Sequence, residues 1–184
     1  MDNRQITIIG CGNMGTAMAQ MLARSGHPVA VWCIEPAILR EIGKKRQNKK
    51  YLPGVNLDRA IRPSASLPAA LAGADAVLLA VPSQVVLDVL RRALRSVGKK
   101  TLIISVVKGL DPKTLRPVAE EILRRLPKVF KNNFVNMTGP AMAGEIARGF
   151  PTTVEIASPS PASARAAKNI LQSPQFKVHI IKDL

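Results

Sequence analysis

The chain is short of aromatics, acids and cysteine, and each shortage removes a class of explanation. Aromatic residues make up 3% of its 184 residues against 47% hydrophobic, so a sizeable core has to be built from Ala, Val, Leu and Ile. The same shortage leaves few rings for bases to stack on, and with no groove-reading motif present, no nucleic-acid partner is expected. Two cysteines, Cys11 and Cys33, are too few for a disulfide framework. With no His or acidic cluster beside them they offer too few ligands for a metal, and they read as free thiols. No apolar run approaches the roughly 18 residues a membrane span requires. Met1-Asp2-Asn3-Arg4 runs straight into an apolar strand and leaves no room for a leader, so the expectation is a soluble, cytoplasmic protein of one domain over 1–184.

Acids number 12 against 27 Lys and Arg, a formal net charge of +15. The cations cluster at Lys44-Lys45-Arg46 with Lys49-Lys50, at Arg91-Arg92 with Arg95, Lys99 and Lys100, and at Arg124-Arg125 with Lys128 and Lys131. Each cluster falls late in an expected helix or just after it, where cations complement the helix dipole and meet water. Solvated faces are the plain reading, with steering of anionic ligands as the functional one.

What is present begins at Ile6-Thr7-Ile8-Ile9, an apolar, β-branched strand that breaks into Gly10-Cys11-Gly12-Asn13-Met14-Gly15 and opens a helix over 16–25. Strand, glycine loop and helix in this order form the phosphate-binding turn of a dinucleotide fold. Gly10 permits the tight turn, Gly12 lets backbone approach a pyrophosphate, and Gly15 lets the helix pack closely on the strand. Backbone N–H groups at the helix start then face the phosphates. The helix stops at Ser25-Gly26-His27-Pro28, and a second apolar strand, Val29-Ala30-Val31-Trp32-Cys33, leads to Glu35. That is the acidic position, about 20 residues on, that accepts the ribose hydroxyls. A carboxylate there repels a 2′-phosphate and favours NAD over NADP, although Arg40 and Lys44 stand within reach to blur the preference. Cys11 and Cys33 sit at the ends of neighbouring strands beside the adenosine half of such a site, so the functional alternative to plain free thiols is that oxidation of Cys11 obstructs nucleotide binding.

Farther along, strand and helix signals alternate. Apolar runs over 76–81, 101–107, 134–137, 152–157 and 177–181 read as strands, and 85–94, 114–126 and 163–171 as helices. No internal repeat occurs, and the Pro and Ser residues over 158–163 read as a turn. The expected fold is a doubly wound α/β domain of Rossmann type with a mostly parallel sheet, its ligands lying across the strand carboxyl ends.

GCGNMGTAMA from Gly10, YLPG from Tyr51, AVPS from Ala80, KGL from Lys108, GPAMAGE from Gly139 and the later Pro151-Thr152-Thr153 occur in the order and spacing of NAD-dependent glycerol-3-phosphate dehydrogenases, and the chain resembles that family along its whole length. Pyrroline-5-carboxylate reductase has a similar phosphate loop, and hydroxyacid dehydrogenases are related, but neither explains YLPG, KGL and GPAMAGE together. The resemblance implies reversible hydride transfer between carbon 2 of glycerol 3-phosphate, or of dihydroxyacetone phosphate, and NAD, with NADP possible. It implies that Gly10, Cys11, Gly12, Asn13, Met14 and Gly15 hold the pyrophosphate. Ile34 would pack on the adenine, and Val85 and Ala143 would line the cofactor. Lys108 would meet both cofactor and substrate, and Gly139 would border the substrate.

Two departures from the family pattern stand out. Ala141 occupies a position where many relatives carry a polar side chain. The family's proton-accepting lysine lies in a segment that begins shortly after the equivalent of Leu184, and the helical substrate domain is absent from this chain, so no catalytic residue is assigned. The resemblance therefore implies a fragment of a homodimeric parent enzyme; the alternative is a stand-alone nucleotide-binding or redox-sensing module. The expected outcome is that the purified chain binds NADH and gives no measurable turnover with dihydroxyacetone phosphate. Robust turnover would place the base within these residues.

Overall fold

A computed structural model describes residues 3–182. Met1 and Asp2, which bear on a leader, and Leu184, which bears on the missing lysine segment, lie outside the described residues. In chain order the elements are β1 (Ile6–Ile9), α1 (Asn13–Arg24), β2 (Val29–Trp32), α2 (Pro36–Lys45), β3 (Ile61–Ser64), α3 (Leu67–Leu71), β4 (Ala76–Leu79), α4 (Ser83–Ala93), β5 (Leu102–Ser105), α5 (Val118–Arg125), α6 (Lys128–Lys131), β6 (Phe134–Thr138), α7 (Ala143–Arg148), β7 (Thr152–Ala157), α8 (Pro161–Leu171) and β8 (Phe176–Ile180). One sheet has the order β3-β2-β1-β4-β5-β6-β7-β8. Pairing is parallel from β3 through to β6, β7 runs antiparallel to β6, and β8 is parallel to β7.

Strand periodicity builds two cores. Ile6, Ile8, Val29, Val31, Ala76, Leu78, Leu102 and Ile104 face one side with residues of α1, α2, α7 and α8. Ile9, Trp32, Val77, Leu79 and Ile103 face the other with residues of α3, α4 and α5. Strands buried on both faces explain why these runs are continuously apolar rather than alternating. The chain leaves β1 toward β2 and β3, then crosses back to β4, which pairs with β1 in register from Ile6↔Ala76 to Ile9↔Leu79. The loops after β1 and β4 therefore lie side by side at the carboxyl edge of the sheet, the switch point at which ligands of such folds bind.

Several boundaries differ from the sequence expectation. Helix α1 starts at Asn13 rather than at 16, because Gly12 has an extended ψ and is itself the cap. The helix expected over 114–126 starts only at Val118. The Asp111 carboxylate accepts from the N–H groups of Lys113 and Thr114 and from the Thr114 hydroxyl, holding a turn. Leu115 then adopts φ +56°, and Pro117 disfavours helical backbone at Arg116. Strand β3 and helix α7 were not anticipated. β3 contains Pro63, which is tolerated because β3 is an edge strand paired only with β2. The basic cluster at Arg124-Arg125 is more than a solvated face. With Arg116 it surrounds the buried Glu121 carboxylate at 3.3–3.9 Å.

The turn out of β1 is the tightest point of the fold. Gly10 has φ +115°, and a Cβ there would lie 2.4 Å from the Ala80 carbonyl oxygen. A Cβ on Gly15 would lie 2.0 Å from the Gly10 carbonyl oxygen. Gly26, which follows α1, has φ +90° with open space around it. Gly26→Ala is therefore expected to cost about 1 kcal/mol from backbone conformation alone. Gly10→Ala, with the same penalty plus a backbone collision, is expected to cost about 3 kcal/mol or more in urea denaturation. Equal losses would mean that the β1 and β4 loops do not meet as described.

Candidate functional site

The loop after β1 is pinned by hydrogen bonds that leave its outer side free. Gly10 N–H donates to the Trp32 carbonyl at 2.8 Å, tying the turn to β2. The Cys11 carbonyl accepts from the Thr16 hydroxyl at 3.1 Å and from the Asn48 side-chain amide at 2.9 Å. The same Asn48 amide donates to Thr16 Oγ1 at 2.8 Å. Asn48 is fully buried, so this three-way junction works in a low dielectric where a lost partner is costly.

Helix α1 begins immediately beyond the junction without a side-chain cap and without an acidic residue in its first turn. Its first helical hydrogen bond runs from Thr16 N–H to the Gly12 carbonyl, leaving Asn13, Met14 and Gly15 N–H without intrahelical acceptors. A Cβ on Gly12 would meet nothing within 4 Å. Free donors, the positive end of the helix dipole and open space beside Gly12 together form a cradle for an anion, and a diphosphate fits it.

At the end of β2, Ile34 projects into solvent at 80% exposure, and Glu35 caps α2. The Glu35 carboxylate is already engaged. It accepts from the Tyr51 hydroxyl at 2.7 Å and is ion-paired with Lys50, whose ammonium lies 4.7 Å from the Tyr51 ring centroid. The Lys50 contact, then that of Tyr51, holds the Glu35 carboxyl below the usual range, and Glu35 in turn raises Lys50. The Glu35 carboxylate thus does not stand alone at the end of β2. Lys50 offsets its charge, and Lys50 rather than Arg40 or Lys44 is the cation beside it.

Toward the other half of the cleft, Val85 stands partly exposed in the first turn of α4, and Ala143 opens α7. Met14, Ala80, Ala141 and Ala143 pack on the same core cluster, so the phosphate loop and the segment after β6 border one apolar floor. The exposed Lys108 ammonium, after β5, donates to the Gly139 carbonyl, after β6, at 2.6 Å. Gly139 has φ +123°, and a Cβ there would press on Val154 and Thr153 at 3.3–3.4 Å. Lys108 and Gly139 are thus brought into contact, whereas Ile34 and Glu35 lie at the far end of the cleft, across β1 and β4.

Asn48, Lys50 and Thr16 escaped the sequence reading. Asn48 and Lys50 sit in a Lys-rich stretch that reads as a solvated face, and Thr16 reads as an ordinary helical residue. Tyr51 stands out in the sequence only as part of YLPG.

Residues 5–164 match the family described as NAD-dependent glycerol-3-phosphate dehydrogenase N-terminus. The chain belongs to that family. It is 33% identical over 181 residues to a glycerol-3-phosphate dehydrogenase [NAD(P)+] of Bacillus velezensis, covering 98% of this chain and 52% of that protein. It is 36% identical to the glycerol-3-phosphate dehydrogenase [NAD(P)+] of Geobacillus thermodenitrificans, covering 97% and 52% respectively. The crystal structure of glycerol-3-phosphate dehydrogenase from Coxiella burnetii superposes with a TM-score of 0.88 at 29% identity, over 99% of this chain and 55% of that one. The chain therefore spans about half the length of the curated glycerol-3-phosphate dehydrogenases it matches. Among the described residues no helix is long and apolar enough to cross a membrane, and no group of three or more His, Cys, Asp or Glu is placed to hold a metal.

Proposed function

We propose that this chain is the cofactor-binding half of an NAD(P)-dependent glycerol-3-phosphate dehydrogenase, and that its cleft holds a dinucleotide with the pyrophosphate on α1. The observation that carries this reading is the uncapped start of α1 beside Gly12, where three N–H groups and an open space face the crevice at the sheet's switch point. In this reading Gly10, Cys11, Gly12, Asn13, Met14 and Gly15 wrap the pyrophosphate, and the exposed Ile34 covers the adenine. Glu35 receives the ribose hydroxyls after exchanging part of its contact with Tyr51. Val85 and Ala143 line the nicotinamide half.

Bound NAD would supply a hydride acceptor for carbon 2 of glycerol 3-phosphate, or its reduced form a hydride donor to dihydroxyacetone phosphate. Lys108 contributes a positive charge at that end, suited to a phosphorylated substrate and to negative charge developing on the reacting oxygen. Its contact with the Gly139 carbonyl positions the ammonium and leaves other donors for the ligand. No residue of the cleft is assigned the role of proton acceptor. The parent enzyme is read as a homodimer on the strength of the family resemblance. Lys50 supports use of either cofactor, because a 2′-phosphate would meet an ammonium as well as the Glu35 carboxylate.

Calorimetric titration of the chain and of Gly12→Ala with NADH and NADPH tests the proposal. Gly12 has φ −68° and room for a methyl group, so the variant should keep its melting temperature. Its NADH affinity should nevertheless fall by about tenfold or more, because the methyl group occupies the phosphate's place. Unchanged affinity would remove the pyrophosphate from this loop. Lys50→Ala should weaken NADPH more than NADH; an equal effect on both would show that Lys50 does not face the 2′-position.

A further inference from the structure

Cys11 and Cys33 have no part in the chemistry proposed above, yet the fold sets them side by side. Ile9 and Trp32 are register partners on β1 and β2, and Gly10 N–H bonds the Trp32 carbonyl, so the two chains are still joined where the cysteines begin. Both thiols are free, buried and part of one core cluster. Each thiol alters the other's ionisation, Cys33 raising Cys11 and Cys11 lowering Cys33. Cys33 Sγ also lies 3.7 Å from the Glu35 carbonyl oxygen. On one side of the pair stands the phosphate loop, of which Cys11 is a member. On the other stand Ile34 and Glu35, at the adenosine end.

We infer that Cys11 and Cys33 form an oxidisable dithiol at the mouth of the dinucleotide site, converted by a hydroperoxide into a disulfide that closes the site. The inference rests on the dinucleotide reading for its effect on binding, but not for the pairing of the thiols. The hydrogen bond from Cys11 and one from the backbone at Glu35 bring the Cys33 thiol down to about 7 against the effect of burial. Its contact with Cys33 and then burial push the Cys11 thiol up. Cys33, whose thiol donates to the Glu35 carbonyl in the resting form, is thus the thiol that ionises first and Cys11 the one that keeps its proton, the order needed for stepwise oxidation.

With hydrogen peroxide as the hydroperoxide, Cys33 sulfur attacks one peroxide oxygen; the S–O bond forms, the O–O bond breaks, and hydroxide leaves and takes up the proton Cys33 released, giving water. Cys11 sulfur then attacks the resulting sulfenic sulfur. The S–S bond forms, the S–O bond breaks, and hydroxide leaves with the Cys11 proton as a second water. Two thiols are oxidised and one hydroperoxide is reduced. The bridge draws Cys11 toward β2 and pulls on the carbonyl that Thr16 and Asn48 hold, displacing the loop from its phosphate-binding form.

Hydrogen peroxide treatment of the reduced chain, followed by intact mass, peptide mapping and NADH calorimetry, tests the inference. A mass lower by two hydrogens, a Cys11–Cys33 peptide link, and NADH affinity reduced by about tenfold or more and restored by dithiothreitol are expected. Cys33→Ser and Cys11→Ala, checked for folding by circular dichroism, should form no link, and NADH bound beforehand should slow it. Iodoacetamide labelling of Cys33 should rise with pH to half its maximum near about 7. Over-oxidised Cys33 without a link, or a link that leaves NADH affinity unchanged, would overturn the inference. If the reduced chain binds no NADH, the dinucleotide reading fails by itself, while the peptide map still decides whether the two thiols pair.

Discussion

The close passage of backbone at the start of α1 governs the rest of the cleft. Gly15 meets the Gly10 carbonyl and Gly10 meets the Ala80 carbonyl at distances no Cβ could accept. Those contacts bring α1 down onto β1 and join the loop after β1 to the loop after β4. The helix axis is thereby aimed at the crevice, and its unpaired N–H groups open into it rather than into the core. Glycine in this fold is a packing requirement first, and the anion cradle follows from it.

Charge is distributed in keeping with that geometry. Arginines around Glu121 neutralise a buried carboxylate on α5. Within the cleft Lys108 beside Gly139 brings an ammonium to one end, while Lys50 and Glu35 pair at the other. An anionic ligand would be drawn toward Lys108 and the uncapped start of α1, more strongly at low salt. The excess of cations across the chain adds to this attraction.

Much of this was legible in the residues themselves. The central strands announced themselves as continuous apolar runs because they are covered on both faces, and the glycine spacing marked the turn because only glycine satisfies its contacts. Edge strand β3 was not legible, since Ile61, Arg62, Pro63 and Ser64 show neither alternation nor a long apolar run, and pairing with β2 alone defines them. The late start of α5 was hidden because its cause, the turn around Asp111, uses a side chain whose partners are visible only in three dimensions. In the candidate site, Glu35 is proposed from the sequence by its distance from the glycine loop. Its partners Lys50 and Tyr51, and the Asn48 that locks the Cys11 carbonyl, were masked because long-range contacts leave no periodic trace.

The location of the diphosphate is the most direct test. A crystal structure of the chain grown with NADH is predicted to show diphosphate oxygens within about 3 Å of the N–H groups that open α1, from Asn13 and Met14. A diphosphate held elsewhere, with those N–H groups bonded only to water, would contradict the assignment of this loop as the phosphate cradle.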